Sequence, residues 1–176
     1  ALNSSVNNLL ELSKVNAYDG NIEFEKIPFA TLLNEIKESF DFINPTNKIK
    51  LIIPTQIGNK LISVMGNKNL LKTAIINLYD NACKFSTNQI VSVSLTYDEF
   101  RLKLIIKDDG IGILAKDIHK IIAPFYRGNN AIKIKGSGIG LTLSSRIIQL
   151  HKGTLKIQSE VNLGTEVHIE LPLQSD

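Results

Sequence analysis

Two short segments, residues 91–97 and 100–106, constrain the fold more than anything else in the chain. Apolar and polar residues alternate in both, with Val91, Val93, Leu95 and Tyr97 in the first and Phe100, Leu102, Leu104 and Ile106 in the second. Alternation with period two gives each strand one apolar face, and the tight Asp98-Glu99 turn joins the pair as an antiparallel hairpin. A hairpin with one apolar face must bury it against something, and the remainder of the chain offers helices.

Apolar spacing through Leu2, Val6, Leu9, Leu10, Leu12 and Val15 predicts a helix from residue 2 that stops at Tyr18-Asp19-Gly20. The a/d-like spacing of Leu2, Val6 and Leu9 suits a bundle or coiled coil. Residues 21–27 alternate through Ile22 and Phe24 as a strand that Pro28 breaks. Residues 29–42 then read as a helix, with Leu32, Leu33, Ile36 and Phe40 on one face. After a turn at Asn44-Pro45-Thr46-Asn47, residues 48–53 and 60–64 read as short strands flanking Pro54 and Gly58. Gly66-Asn67 opens a helix over 67–85. Beyond the central hairpin, residues 108–140 are irregular apart from a helix-like piece at 116–122, and loops of that length are usually functional. A helix over 141–150 ends at His151-Lys152-Gly153, and strands 154–159 and 165–171 turn at Asn162-Leu163-Gly164. Late hairpins mixed with helices predict an α+β fold, a two-layer sandwich in which helices back a mixed or antiparallel sheet.

A chain of 176 residues that is 43% apolar supplies one sizeable core with room for an appendage. The 20 basic and 17 acidic residues are scattered, so the phosphate-binding stripe that nucleic acid requires is missing and no nucleic-acid partner is expected. The single Cys83 excludes an intrachain disulfide, which fits a reducing, cytoplasmic compartment. No apolar run reaches the ~18 residues of a membrane span. The chain opens at Ala1 within a helical pattern, as a fragment of a longer protein would.

Three motifs carry chemistry. Asn77, Asn81 and Lys84 follow i, i+4, i+7 spacing, one polar stripe on a helix whose other residues, including Leu71, Ile75 and Leu78, seek a core. Amide oxygens suit a hard cation such as Mg²⁺, and a lysine one turn on suits a phosphate, although the stripe alone reads more simply as solvent-facing. Asp108-Asp109-Gly110-Ile111-Gly112-Ile113 follows a strand. A carboxylate there can accept from the exocyclic amine of adenine, and Gly110 and Gly112 let a flat ring approach the backbone. Gly110-x-Gly112-x-x-Ala115 nearly spells a dinucleotide fingerprint, but Pro124 leaves no room for the long helix that motif needs. Gly136-Ser137-Gly138-Ile139-Gly140-Leu141 precedes a helix, where converging N–H groups make an anion site. No Lys-Ser or Lys-Thr follows, so it is not a P-loop.

Taken in order, Asn77-x-x-x-Asn81-Ala82-x-Lys84-Phe85, Asp108-x-Gly110-x-Gly112, Pro124-Phe125-Tyr126-Arg127, Gly136-x-Gly138-x-Gly140-Leu141 and Gly164-Thr165 resemble the N, G1, F, G2 and G3 boxes of sensor histidine kinases. The resemblance covers about residues 20–176 and implies the Bergerat ATP-binding fold of the GHKL superfamily, with a mobile lid over about 113–137. It implies ATP and Mg²⁺ as cofactors. Asp108 would bind the adenine amine, Asn81 helped by Asn77 would hold Mg²⁺, and Lys84 and Arg127 would contact phosphates. Gly136, Ser137, Gly138, Ile139, Gly140 and Leu141 would wrap those phosphates, and Thr165 would reach the base through water. Phe85, Gly110, Gly112, Ile113 and Phe125 complete the implied nucleotide-binding set. The catalytic positions would be Asn77, Lys84 and Arg127. Ala123 stands where many relatives carry an acid, and Asp109 where Asn is common. Lys133 and Lys135 read as solvated lid residues.

Relatives of this fold that hydrolyse ATP carry Glu at the position of Asn77 to activate water, and an amide has no useful basicity. The resemblance therefore implies phosphoryl transfer to a histidine on a separate dimerisation domain. His119, His151 and His168 are not followed by the acidic residue of an acceptor box, so the acceptor is expected elsewhere in the protein. Residues 1–19 would be the end of a dimerisation helix and 20–176 the catalytic domain. The parent protein would be a homodimer paired with a response regulator, either cytosolic or anchored in the inner membrane. The alternative is a regulatory nucleotide-binding module without chemistry.

Overall fold

The central hairpin forms and is the middle of a five-stranded sheet, but Phe100, expected on its apolar face, lies in the turn and is exposed, and the second strand starts at Arg101. In this computed structural model, which describes residues 2–17, 22–53, 62–128, 131, 134 and 136–174, the elements run α1 (Leu2–Asn16), β1 (Glu25–Pro28), α2 (Phe29–Ile43), β2 (Lys48–Ile52), β3 (Ser63–Gly66), α3 (Lys68–Phe85), β4 (Ser86–Tyr97), β5 (Arg101–Gly110), α4 (Gly140–Leu150), β6 (Thr154–Glu160) and β7 (Gly164–Pro172). The sheet order is β2-β4-β5-β7-β6, with β2 parallel to β4 and all other pairs antiparallel. The fold is thus a two-layer α/β sandwich with a mixed sheet.

Local chemistry explains the elements. Asp98 Oδ1 accepts from the backbone N–H of Phe100 and Arg101 at 3.0 and 2.9 Å, an Asx turn that sets the register Tyr97↔Leu102, Leu95↔Leu104, Val93↔Ile106. β4 starts earlier than its alternation indicates, because residues before Val91 continue to pair irregularly, with Gln89 at a φ of 57°. Asn67 caps α3 by accepting from Leu70 N–H at 3.0 Å.

Leu32, Leu33 and Ile36 of α2 and Leu71, Ile75 and Leu78 of α3 are buried over Val91, Val93, Leu102 and Leu104 of the sheet. Tyr79 meets Phe40 edge to face at 5.8 Å. Truncating any of the large aliphatic residues to Ala costs about 2–5 kcal/mol.

Two further expectations need correction. Residues 116–122 form turns rather than a helix, because Asp117, Lys120 and Ala123 donate to the carbonyl three residues back. Residues 22–24 are irregular, and the strand begins at Glu25 and runs through Pro28; its ring has no N–H, and Phe29 instead donates to Ile62 O at 3.1 Å. In α1 the residues that pack are Leu12 and Val15, which share a second apolar cluster with Leu70, Ala74, Ile139, Leu143 and Ile147, while Val6 and Leu9 are exposed. The expected Tyr18-Asp19-Gly20 stop, Pro54, Gly58, Lys60, Lys133 and Lys135 lie outside the described residues. Among the described residues no helix is long and apolar enough to cross a membrane.

Candidate active site

Helix α3, strands β5, β6 and β7, described residues between 111 and 138 and the start of α4 enclose a cleft of about 540 Å³, within the range of small-molecule sites. Its floor follows from strand register. Ile106 faces Val167, and Val167 faces Ile157, so three neighbouring strands present one apolar row into the cleft. Two residues along on the same face lies a polar row, Asp108 paired with Thr165 and Thr165 with Ser159. A planar ring lying on the first row would turn its edge to the second.

The polar row is tightly ordered. Asp108 is 5% exposed and accepts from Gly110 N–H at 2.9 Å. Burial pushes its carboxyl from the ordinary 3.8 up to about 6, against the pull of hydrogen bonds from the backbone N–H of Gly110 and Thr165. Ser159 Oγ lies 2.9 Å from Thr165 Oγ1, accepts from Ile113 N–H at 2.9 Å and donates to Gly164 O at 2.8 Å. Gly112 is held at a φ of +65°, and a Cβ there would sit 2.0 Å from Glu160 O, so only glycine lets the loop lie against β6.

On the opposite wall the α3 stripe faces the cleft. Asn77, Asn81, Lys84 and Phe85 all line it. Asn77 Oδ1 accepts from Asn8 Nδ2 of α1 at 3.2 Å, and Asn77 Nδ2 is buried with no hydrogen-bond partner among the described residues. Lys84 pairs with Asp80 one turn back, both side chains roughly half exposed. The glycine-rich segment brings Gly136, Ser137, Gly138, Gly140 and Leu141 to the cleft, and Gly140 opens α4 beside Asn77. Consecutive N–H groups at a helix start and two nearby cations favour an anionic ligand.

Residues 111–128 are braced internally and tied to α4. Tyr126 OH donates to Asp117 Oδ1 at 2.8 Å, and Thr142 Oγ1 of α4 donates to Ile122 O at 2.8 Å. The Arg127 guanidinium lines the cleft and donates to the carbonyls of Ala131, at 2.7 Å, and Ile134.

Most of the anticipated residues therefore converge. Asn77, Asn81, Lys84, Phe85, Asp108, Gly112, Ile113, Arg127, Gly136, Ser137, Gly138, Gly140, Leu141 and Thr165 line one cleft. Gly110 instead pairs with Ser86 in the sheet, Phe125 is 64% exposed, and Ile139 is buried in the second apolar cluster. Asn8, Ser159, Ile157 and Val167 belong to the site or its supports without any motif marking them, and Tyr126, part of the F-box motif but given no role by it, lines the cleft too. Ile157 and Val167 become legible once the β6–β7 register is known; nothing in the sequence signals Asn8. Of the histidines, His151 is buried, His119 is exposed, and His168 lies 3.2 Å from Glu166.

Residues 66–175 match the family described as histidine kinase-, DNA gyrase B-, and HSP90-like ATPase. The chain is 28% identical over 177 residues to the sensor protein RprX of Bacteroides fragilis, covering 98% of itself and 34% of that protein. It thus spans about a third of that curated relative. Among solved structures, the mycobacterial sensor histidine kinase MprB superposes with a TM-score of 0.75 at 25% identity, over 86% of this chain and all of that one. Full-length ShkA in complex with AMPPNP superposes with a TM-score of 0.82 at 20% identity, over 99% of this chain and 36% of that one, a likeness of fold.

Proposed function

The chain belongs to the family of histidine kinase-, DNA gyrase B- and HSP90-like ATPases, and from that premise we propose that it is the ATP-binding catalytic domain of a two-component sensor histidine kinase. The reading rests most on Asn77, an amide in the cleft wall where water-activating relatives are expected to carry a carboxylate. A site that binds the triphosphate without activating water is suited to pass the phosphate to a better nucleophile.

Adenine would lie on the row of Ile106, Val167 and Ile157, with its amine donating to Asp108. The phosphates would run towards Gly136–Leu141, where N–H groups and the α4 dipole neutralise charge. Lys84 and Arg127 would then exchange Asp80 and the lid carbonyls for phosphate oxygens.

Among the described residues there is no cluster of His, Cys, Asp and Glu that could hold a metal. The cleft instead offers the amides of Asn77 and Asn81, a donor set that fits Mg²⁺ completed by water and phosphate oxygens. Asn77 would join that set only by releasing Asn8, because its oxygen accepts from Asn8 Nδ2 at 3.2 Å and its buried, unpartnered end is the donating Nδ2. When bound, Mg²⁺ supplies charge neutralisation on the phosphates.

In the transfer, a neutral imidazole nitrogen forms a bond to the γ-phosphorus while the bond to the bridging oxygen breaks, and ADP leaves with that electron pair. The imidazole would come from a dimerisation domain of the same protein, with α1 as the end of its second helix and the domain boundary near residue 19. Val6, Leu9 and Leu10 leave an exposed apolar face on α1, as a helix of a homodimeric bundle would. A response regulator would receive the phosphate next, on the cytoplasmic side.

Equilibrium dialysis with labelled nucleotide tests the reading. The isolated chain should bind ADP and ATP in the micromolar to millimolar range and turn ATP over very slowly. Brisk hydrolysis without an acceptor would contradict the role given to Asn77.

A further inference from the structure

Asn8 lies outside residues 66–175 and outside every motif, yet it lines the cleft and donates its Nδ2–H to Asn77 Oδ1 at 3.2 Å. It is held there by α1 as a whole. Asn8, Leu12 and Val15 follow i, i+4, i+7 spacing, one face of the helix. Leu12 and Val15 are buried against Leu70 and Ala74 of α3, Leu143 and Ile147 of α4, and Ile139 at the end of the glycine-rich loop. At the end of α1, Asn16 Oδ1 accepts from Arg146 Nε at 3.1 Å.

An amide has an accepting end and a donating end, and fixing one fixes what the other presents. With Oδ1 taken by Asn8, Asn77 keeps Nδ2, buried and without a partner among the described residues, as its unused end. That end donates. It suits a phosphate oxygen and repels a cation.

We propose that Asn8 is a positioning residue that sets the orientation of the Asn77 amide, so that α1 docked on α3 and α4 turns Asn77 from a metal ligand into a phosphate donor. Withdrawal of α1 frees Oδ1 for Mg²⁺. The inference rests on the nucleotide reading above for its ligand, and on geometry alone for the contact between the two asparagines. Through it, movement of α1 sets how strongly the metal reinforces nucleotide binding.

The test has two arms, applied to the full chain, to Asn8→Ala and to Asn8→Gln. In nucleotide-free protein, the Asn77 side-chain NH₂ resonances should shift in Asn8→Ala and return towards their original positions in Asn8→Gln, which keeps the amide. By calorimetry, the ratio of ATP affinity with Mg²⁺ to that without should rise in Asn8→Ala by about fivefold, the factor equivalent to one net hydrogen bond. Metal-free affinity should be unchanged or slightly weaker. Unmoved Asn77 resonances would overturn the proposal whatever the nucleotide does, and so would an unchanged affinity ratio in a variant that binds ATP. Shifted resonances without ATP binding by any of the three proteins would instead overturn the nucleotide reading and the metal half of this proposal, leaving Asn8 as a clamp on Asn77.

Discussion

His151 Nε2 accepts the backbone N–H of Asn67 at 3.0 Å, so the residue that ends α4 secures the residue that caps α3. Its Nδ1 lies 2.7 Å from Ile147 O and donates to it, which fixes the neutral tautomer. The ring stacks on Phe24 at 4.9 Å and is 2% exposed.

Burial holds the His151 pKa below its usual value, although the bond to Ile147 pulls the other way. Because the folded value is depressed, the stability His151 contributes is complete above the unfolded pKa of about 6.5 and is lost as pH falls through the folded one. Thermal melts from pH 7.5 to 5 should show the native chain losing stability towards acid by more than His151→Gln. A parallel decline of the two proteins would remove His151 from the account.

Asp108 acts with the opposite sign. Its folded pKa is raised from 3.8 to about 6, so the stability it contributes is present below 3.8 and is lost as pH rises through about 6. The ionised form costs the nucleotide-free protein on the order of 2–3 kcal/mol at neutral pH. Asp108→Asn should therefore melt higher at pH 7 and lose its preference for ATP over GTP, because an amide can turn a donor towards the adenine amine. Stability gained at the expense of recognition is a common trade at binding sites. An unchanged preference by calorimetry would remove the adenine contact.

Lys84 and Asp80 form an i, i+4 pair about half exposed, worth at most about 0.5 kcal/mol. Asp80→Asn should thus leave the melting temperature almost unchanged. If Lys84 must leave Asp80 to reach a phosphate, the variant should bind ATP more tightly while its affinity for adenosine stays the same. Equal changes for the two ligands would separate Lys84 from the phosphates.

These residues also mark what the sequence alone made legible. The stripe of Asn77, Asn81 and Lys84 could be read because helical geometry is local, and the apolar face of β5 because a two-residue period is local. The loop between residues 108 and 140 was legible as functional, but its turns at 116–122 were not, since three-residue and four-residue closures share one apolar pattern. Asn8 required knowing where α1 docks. Val6 and Leu9 look as suitable for burial as Leu12 and Val15, and only the shape of α3 and α4 decides between them. Likewise, the row Ile106, Val167, Ile157 joins β5 to a hairpin about 50 residues further along the chain, and appears only with the register.

The fate of the γ-phosphate tests the central claim most directly. The chain, Mg²⁺ and ATP labelled at the γ-phosphate should be incubated with and without the dimerisation domain of the parent protein. Acid-labile, base-stable label should appear on a histidine of that domain, with almost no inorganic phosphate when the domain is left out. Rapid phosphate release without the domain, or bound ATP that labels no histidine with it, would contradict the assignment of Asn77 to phosphoryl transfer.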